Sequence, residues 1–322
     1  MASLLSVENL QVQFQTKKGI NTAVDGVSFS VEKGRILGIV GESGCGKSVT
    51  SMSILQLLGS NARISGGSIK LDGKELIGLP EKEMCRIRGN DIAMIFQDPM
   101  TALNPTLTIG TQLMEPIMLH QNCGKKEAWT RAVDVLKRVG IAAPEKRMKE
   151  YPHQLSGGMR QRVMIARAVS CEPRLLIADE PTTALDVTIQ AQILELMCEL
   201  REKMGTAIML ITHDMGVVAE TADDVLVLYA GKAVEYGSIE DIFERPKHPY
   251  TQGLLNSIPR LDEDVELLNT IEGTVPAPDA MPAGCRFAPR CPYGKDRCMK
   301  EKPGVYHAGN SLVSCFRYEG EK

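Results

Sequence analysis

An eight-residue loop is the first place where this sequence could bind an anion. The loop consists of Gly41, Glu42, Ser43, Gly44, Cys45, Gly46, Lys47 and Ser48. Its glycines allow consecutive backbone N–H groups to turn towards an anion, because no Cβ atom obstructs them. In this G-x-x-x-x-G-K-S pattern the Lys47 ammonium can reach the β- and γ-phosphates of a nucleotide, and the Ser48 hydroxyl can bind Mg²⁺. The alternative is a glycine-rich turn with an unrelated lysine.

The segments on either side of the loop favour phosphate binding. The apolar run Ile36–Val40 precedes the loop and predicts a buried strand, and the segment from Val49 to Leu58 has helical periodicity. A strand, a glycine loop and a helix form the context that the motif requires. The N-terminus of the helix would add its partial positive charge to the anion site.

Two acidic residues at the end of a later strand could complete a nucleotide site. The run Leu175–Asp179 predicts a buried strand, and Glu180 follows it directly. Asp179 could bind Mg²⁺ beside a glycine loop, and Glu180 could polarise an attacking water. The alternative is that both acids cap the next helix. These two residues alone do not decide between the two interpretations.

A second helix start could also bind an anion. Ser156 is expected to be an N-cap, and Gly157 and Gly158 would expose their N–H groups at the positive end of the helix dipole. The sequence therefore contains two candidate anion sites. A flexible capped helix start is the alternative.

The elements that must position these residues can be predicted from periodicity. Alternating apolar residues predict half-buried strands at Leu10–Phe14 and Val27–Val31, which would form an antiparallel side sheet. Residues 99–170 have a helical pattern and predict a helical insertion. Later apolar strands alternate with helices, which predicts right-handed βαβ crossovers and a parallel sheet. These strands are Leu175–Asp179, Ala207–Thr212 and Val225–Tyr229. The predicted fold class is α/β.

Composition limits the class of protein. A length of 322 residues suggests roughly two domains. With a net charge of −3, the chain as a whole has no positive electrostatic field that would attract nucleic acid. No uncharged apolar run reaches the roughly 18–20 residues that span a bilayer, and the N-terminus lacks the pattern of a signal peptide. We therefore expect a cytosolic chain that would need a partner for any role at a membrane.

The C-terminal segment differs in composition from the rest. We expect one domain at residues 1–257 and an extension at 258–322, which begins with the acidic linker Leu261–Asp264. Four of the nine cysteines crowd into the extension, which is too poor in apolar residues to fold without a staple. These are Cys285, Cys291, Cys298 and Cys315. Four thiolates suit a [4Fe–4S] cluster or tetrahedral Zn²⁺, but the spacing matches neither common pattern. Free or disulfide-linked cysteines are a third possibility.

Together these motifs resemble the ATP-binding cassette (ABC) ATPase family. The glycine loop fits the Walker A loop, Leu175–Asp179 with Glu180 fits Walker B, and Leu155–Met159 fits the signature motif. Three further matches occur in family order. They are Gln97 for the Q-loop, Ala184–Asp186 for the D-loop and His213 for the switch histidine.

This resemblance implies a fold and an assembly. The expected fold is a P-loop NTPase of the ABC type, with a RecA-like core, an antiparallel β-subdomain, a helical subdomain at about 99–170 and a small Cys-rich C-terminal extension. Two such domains would enclose two ATP molecules head to tail. Each ATP would lie between the Walker A loop of one chain and the Ser156–Gly158 segment of the other.

The resemblance also implies residue roles. Glu180 would act as general base on the lytic water, with Lys47 and His213 as the other catalytic residues at the phosphates. Mg²⁺ would be bound by Ser48, Gln97 and Asp179. The remaining nucleotide contacts would include the Walker A loop, Ser156, Gly157, Gly158 and Asp186. Phe14 lies near the position of an adenine-stacking aromatic residue, and a place in the core is its alternative.

Three stretches resemble the dipeptide/oligopeptide importer branch, which also includes nickel importers. They are Ile95–Pro105, Tyr151–Gln154 and Arg245–Thr251. The branch implies uptake of dipeptides or oligopeptides, with nickel import as the alternative and a soluble ABC ATPase acting on nucleic acid or ribosomes as a more distant one. Expected partners are a second, related ATPase subunit in a heterodimer, two membrane-spanning permease subunits and an external solute-binding protein, without nucleic acid.

The same branch implies a place in the cell and a metal group. The chain would lie on the cytoplasmic face of the cell membrane, bound to the permease subunits. Some dipeptide-permease ATPases have a similar tail that carries a [4Fe–4S] cluster. This resemblance favours the cluster over zinc for the four cysteines.

Overall fold

The computed structural model describes residues 3–17, 19–98, 102–183, 186–258 and 270–320. Its strands are β1 (Ser3–Thr16), β2 (Gly19–Glu32), β3 (Ile36–Val40), β4 (Ala62–Leu71), β5 (Lys74–Glu75), β6 (Ile92–Ile95), β7 (Leu175–Asp179), β8 (Ala207–Ile211), β9 (Asp224–Tyr229), β10 (Lys232–Ser238), β11 (Tyr306–Ala308) and β12 (Ser311–Val313).

The α-helices in the described residues are α1 (Lys47–Ile54), α2 (Glu81–Ile87), α3 (Ile109–Gln121), α4 (Lys125–Arg138), α5 (Pro144–Arg147), α6 (Gly157–Val169), α7 (Val187–Met204), α8 (Met215–Thr221), α9 (Ile239–Glu244), α10 (Pro249–Asn256) and α11 (Asp296–Lys300). Single 3₁₀ turns occur at Pro152–Gln154, Pro278–Ala280, Ala288–Arg290 and Phe316–Tyr318. Among these residues, no helix combines the length and apolar character that a membrane span needs.

The chain divides into two units. The first comprises residues 1–31, 36–77 and 211–322, and the second comprises 32–35 and 78–210. The described part of the C-terminal segment therefore belongs to the first unit. The predicted linker Leu261–Asp264 lies outside the described residues.

The first unit contains the predicted antiparallel side sheet. Strands β2, β1, β4 and β5 are neighbours in that order. Strand β1 runs antiparallel to β4, from Leu5 opposite Leu71 to Phe14 opposite Ala62. Leu10 is fully buried, as its alternating pattern predicts.

A second sheet in the first unit carries the glycine loop. Strands β11, β12, β10, β9 and β3 are neighbours in that order. Strand β3 is parallel to β9, whereas β9 and β10, β10 and β12, and β12 and β11 are antiparallel. The sheet is thus mixed, which corrects the prediction of parallel strands alone. Strands β10, β11 and β12 escaped prediction because they are short or only partly buried and contain no long apolar run.

The second unit contains the predicted helical insertion. Strands β6 and β7 are parallel, with Ile92 opposite Leu175. The described residues between these two strands form helices and loops without a further strand. Helix α4 buries Ala128, Ala132 and Leu136, which follow the predicted helical spacing, and it contacts α3 and α6. The α/β fold class is therefore confirmed.

Within the first unit, Asp25 of β2 contacts the C-terminal extension. The Asp25 carboxylate accepts hydrogen bonds from Arg286 at 3.1 Å and Lys302 at 3.2 Å, and it lies 3.3 Å from the Lys232 ammonium. Burial alone would raise the pKa of Asp25, but these three cations lower it below its ordinary value. The extension is therefore held by ion pairs as well as by apolar packing.

Candidate active site

The glycine loop runs from the end of β3 to the start of α1. Every residue of β3 is buried, so the strand delivers Gly41 at a fixed position. Gly41 has a φ of 150°, and a Cβ atom there would lie 2.1 Å from the carbonyl oxygen of Leu228. Gly46, the N-cap of α1, has a φ of 102°. The loop conformation therefore depends on glycine at both of these positions.

Lys47 folds over the loop from the first turn of α1. Its Nζ donates hydrogen bonds to the carbonyl oxygens of Gly41 at 2.7 Å and Glu42 at 3.2 Å. The Cys45 thiol is buried beside it, and burial raises the pKa of that thiol, an effect that Lys47 partly offsets. The Cys45 carbonyl accepts a hydrogen bond from Gly231 N at 2.8 Å. Cys45 thus contributes its backbone to the loop, and its thiol stays protonated.

Glu42 is held by two residues that lie far away in the sequence. Its N–H donates to the Tyr250 hydroxyl at 2.9 Å. Its carboxylate accepts from Arg290 Nη1, at 3.0 Å for one oxygen and 2.9 Å for the other. Tyr250 belongs to α10, and Arg290 ends a 3₁₀ turn of the extension. The sequence predicts that Glu42 lies in the loop but predicts neither of its partners.

In the second unit, Glu180 is oriented by two side chains. It directly follows Asp179, which is buried at the end of β7. The Glu180 carboxylate accepts hydrogen bonds from Gln97 Nε2 at 2.9 Å and Thr183 Oγ1 at 3.0 Å. Its φ of 47° lies in the left-handed region, which costs a non-glycine residue about 1 kcal/mol. Such strain is typical of functional positions. Thr183 is an orienting residue that the sequence analysis missed.

The signature segment begins α6 as predicted. The Ser156 hydroxyl caps the helix by accepting from Met159 N at 3.4 Å. Ser156 and Gly157 are exposed. A Cβ atom on Gly158 would lie 3.2 Å from Ile189 Cγ2 of α7. The first residues of this helix are therefore exposed to solvent, whereas Gly158 packs closely against α7.

The other predicted site residues occupy strand ends or helix starts. Asp186 caps α7, with its Oδ1 accepting from Ile189 N at 2.9 Å. His213 is exposed after β8, and Phe14 is half-buried on β1. Ala184 and Leu185 of the D-loop, and residues 99–101 of the stretch Ile95–Pro105, lie outside the described residues.

The four C-terminal cysteines line one cavity of about 70 Å³. Burial raises the pKa values of the Cys285, Cys291 and Cys315 thiols, and nearby backbone N–H groups partly offset this effect. Burial raises the pKa of the Cys285 thiol to about 11.

No disulfide joins any of the nine cysteines in this structure. Among the described residues, no group of three or more His, Cys, Asp or Glu side chains is arranged to hold a metal ion. The [4Fe–4S] cluster expected from sequence is therefore not established by this arrangement.

Comparisons with known proteins identify the family. The family described as "ABC transporter" matches residues 24–183, and "Oligopeptide/dipeptide transporter, C-terminal region" matches residues 234–298. The oligopeptide transport ATP-binding protein AppD of Bacillus subtilis is 56% identical over 100% of this chain and 98% of its own. OppD of Escherichia coli, described in the same words, is 51% identical over 98% of this chain and 93% of its own.

Solved structures agree with these matches. The ATP-binding cassette MJ0796, in a dimeric post-hydrolysis state bound to ADP and Pi, is 28% identical and has a TM-score of 0.66. The similarity covers 73% of this chain and 98% of that one.

The chain belongs to the ABC transporter family of ATP-binding proteins. As an ABC ATPase it binds and hydrolyses ATP. Tyr250 lies in the stretch Arg245–Thr251, which resembles the importer branch but does not by itself indicate a contact with Glu42. The stretch Ala288–Tyr293 also resembles that branch, but it does not link its Arg290 to Glu42, which lies 248 residues away.

The Walker A glycines should differ in how much stability they contribute. Gly41→Ala would force a methyl group against the Leu228 carbonyl, so we expect a loss of about 3 kcal/mol or more in the free energy of unfolding. Gly44 has a φ of 77° with nothing within 4 Å of its Cβ position. Gly44→Ala should therefore cost only about 1–2 kcal/mol. Urea denaturation of both variants measures the difference, and equal losses would contradict the steric argument.

Proposed function

We propose that this chain is the ATP-hydrolysing motor subunit of an ABC importer that takes up dipeptides or oligopeptides across the cytoplasmic membrane. The observation that carries this proposal is the match of residues 234–298 to the oligopeptide/dipeptide transporter C-terminal region. Whole-length relatives named as oligopeptide or dipeptide transport ATP-binding proteins support it. The importer uses ATP binding and hydrolysis in this subunit to drive transport by its membrane partners.

The proposed chemistry assigns a role to each site residue. Lys47 and the loop N–H groups bind the phosphates, and His213 contacts the γ-phosphate. Ser48 and Asp179 bind Mg²⁺, with Gln97 as a further contact, and the ion neutralises phosphate charge. A carboxylate buried at a strand end and a hydroxyl at a helix start are suitable oxygen donors for Mg²⁺. In this proposal Asp186 and Phe14 contact the nucleotide as well.

Glu180 is the proposed general base. Its carboxylate accepts hydrogen bonds from both Gln97 and Thr183. A general base must take a proton from the attacking water, and a carboxylate can do so. The same contacts fix the direction of the carboxylate. Positioning of this kind is what phosphoryl transfer requires of a protein.

Glu180→Gln should retain ATP binding and lose hydrolysis by about 100-fold or more, because an amide cannot accept the proton. Release of phosphate and binding of a fluorescent ATP analogue measure the two properties separately. Glu199→Gln is the matched control, since Glu199 is an exposed residue of α7 that pairs with Lys203. Hydrolysis by the Glu180 variant at the normal rate would show that the general-base assignment is wrong.

The proposed assembly needs a second ATPase subunit. The exposed Ser156 and Gly157 are available to the ATP of a neighbouring subunit, with Gly158 behind them. We propose that this neighbour is a related chain in a heterodimer. Two membrane-spanning permease subunits would hold the pair on the cytoplasmic face of the membrane, and an external solute-binding protein would deliver the peptide.

Gentle detergent extraction of the tagged chain should recover two hydrophobic permease subunits and one related ATPase, identified by mass spectrometry. Uptake of labelled dipeptide by cells should fall when this chain is deleted, while nickel uptake should not change. Recovery of nucleic acid or ribosomes in place of permease subunits would favour a soluble ABC ATPase. Loss of nickel uptake alone would favour the nickel importer.

We also propose a [4Fe–4S] cluster at Cys285, Cys291, Cys298 and Cys315. The four cysteines line one cavity of about 70 Å³, and four cysteine thiolates are the ligand set that such clusters take. When bound, the cluster would join helix α11, which carries Cys298, to the three loops that carry the other cysteines. The extension has little apolar core, so this would be a structural role.

Protein purified without oxygen should absorb at about 400 nm and contain about 4 Fe per chain. Cys298→Ser should lose both signals, because three thiolates hold the cluster less firmly than four. Cys198→Ser should keep both signals, since Cys198 lies in α7 of the second unit. Colourless protein with one zinc per chain would show that the cluster assignment is wrong.

A further inference from the structure

Arg290 links the C-terminal extension to the Walker A loop. Its Nη1 donates to both carboxylate oxygens of Glu42, the second residue of the loop. The Arg290 side chain is only 6% exposed and that of Glu42 is 28% exposed. This ion pair is therefore more sheltered from solvent than most surface pairs, which contribute little.

The guanidinium of Arg290 is fixed by acceptors from several segments. Nε donates to the Glu272 carbonyl at 3.0 Å, and Nη2 donates to the Ile271 carbonyl at 3.2 Å. Nη1 also lies 3.4 Å from the Tyr229 hydroxyl. Only a planar guanidinium, with donors on Nε, Nη1 and Nη2, can reach all of these acceptors. A lysine at this position would therefore lose some of the contacts.

The chain segment that precedes Arg290 is also held in place, by aromatic packing. Phe287, three residues earlier, is buried, with its ring centroid 5.1 Å from that of Tyr229 and 5.4 Å from that of Tyr250. Tyr250 in turn accepts the Glu42 N–H. The extension thus binds the Glu42 side chain directly through Arg290 and packs, through Phe287, against the residue that binds the Glu42 backbone.

The charge of Glu42 makes this contact matter for nucleotide binding. The loop binds a polyanion, and a carboxylate on the same loop repels it. Arg290 neutralises the carboxylate and keeps it turned away towards the extension. Without Arg290 the Glu42 charge would be uncompensated and its side chain free to move.

We propose that Arg290 is a positioning residue for the Walker A loop, which sets the affinity for ATP by neutralising and fixing Glu42. This inference rests on the proposed function in taking ATP as the ligand of the loop. It gives the C-terminal extension a direct effect on the motor, through a residue adjacent to Cys291.

The test is a double-mutant cycle with a fluorescent ATP analogue as the probe, on the full chain. Arg290→Met should raise the Kd by about tenfold, because a partly buried carboxylate is left unpaired beside the phosphates. Adding Glu42→Gln to Arg290→Met should restore the affinity to within about threefold of the wild type, because the repelling charge is gone. Glu42→Gln alone completes the cycle and should bind the analogue more tightly than the wild type.

Salt dependence separates this electrostatic role from a merely structural one. The loss of affinity for the ATP analogue in Arg290→Met should become smaller as ionic strength rises to about 1 M, where the Debye length is about 3 Å. Arg290→Lys keeps the charge but not the planar guanidinium and should show an intermediate Kd. Arg290→Lys also keeps the inference testable if Arg290→Met does not fold.

Arg297→Met is the matched control within the extension. Arg297 pairs with Glu301 and Glu319 and its side chain is 47% exposed, so its removal should change the Kd by less than about twofold. Wild-type affinity in Arg290→Met, or a double variant as weak as Arg290→Met, would overturn the inference. A wild-type chain that does not bind the analogue would instead overturn the proposed function.

Discussion

The close approach between the Walker A loop and the backbone that surrounds it is the constraint on which this structure depends. There is no space at Gly41 for even a methyl group, because the Leu228 carbonyl of β9 occupies it. The loop is also fastened by the hydrogen bond from Gly231 N to the Cys45 carbonyl. A loop held this tightly keeps its N–H groups in place before a nucleotide arrives, so less ordering is needed when one binds.

Three residues of the proposed site share a second feature, which is a rigid support. Gly41, Glu180 and His213 follow closely after β3, β7 and β8, strands in which every residue is buried. A strand packed on both faces cannot shift without disturbing the core, so it delivers the next residue at a constant position. The left-handed backbone at Glu180 is tolerated because such a strand precedes it and two hydrogen bonds hold its side chain.

The sequence predicts those parts of the fold and site that depend on neighbouring residues. The glycine loop, the caps at Ser156 and Asp186 and the buried face of α4 follow from patterns within about one to three turns of chain. The contacts to Glu42 do not, because 208 residues separate it from Tyr250 and 248 from Arg290. Pairings at such distances depend on how the chain folds back on itself, which periodicity does not encode.

The contacts of Phe287 and Arg290 mean that the extension is not a detachable appendage, even though its composition suggests one. A chain that ended before Phe287 would open the rings of Tyr229 and Tyr250 to water and would leave Glu42 without its cation. The second position of the Walker A motif and the far end of the chain are therefore linked, because a substitution that removes the charge of either Glu42 or Arg290 breaks their ion pair.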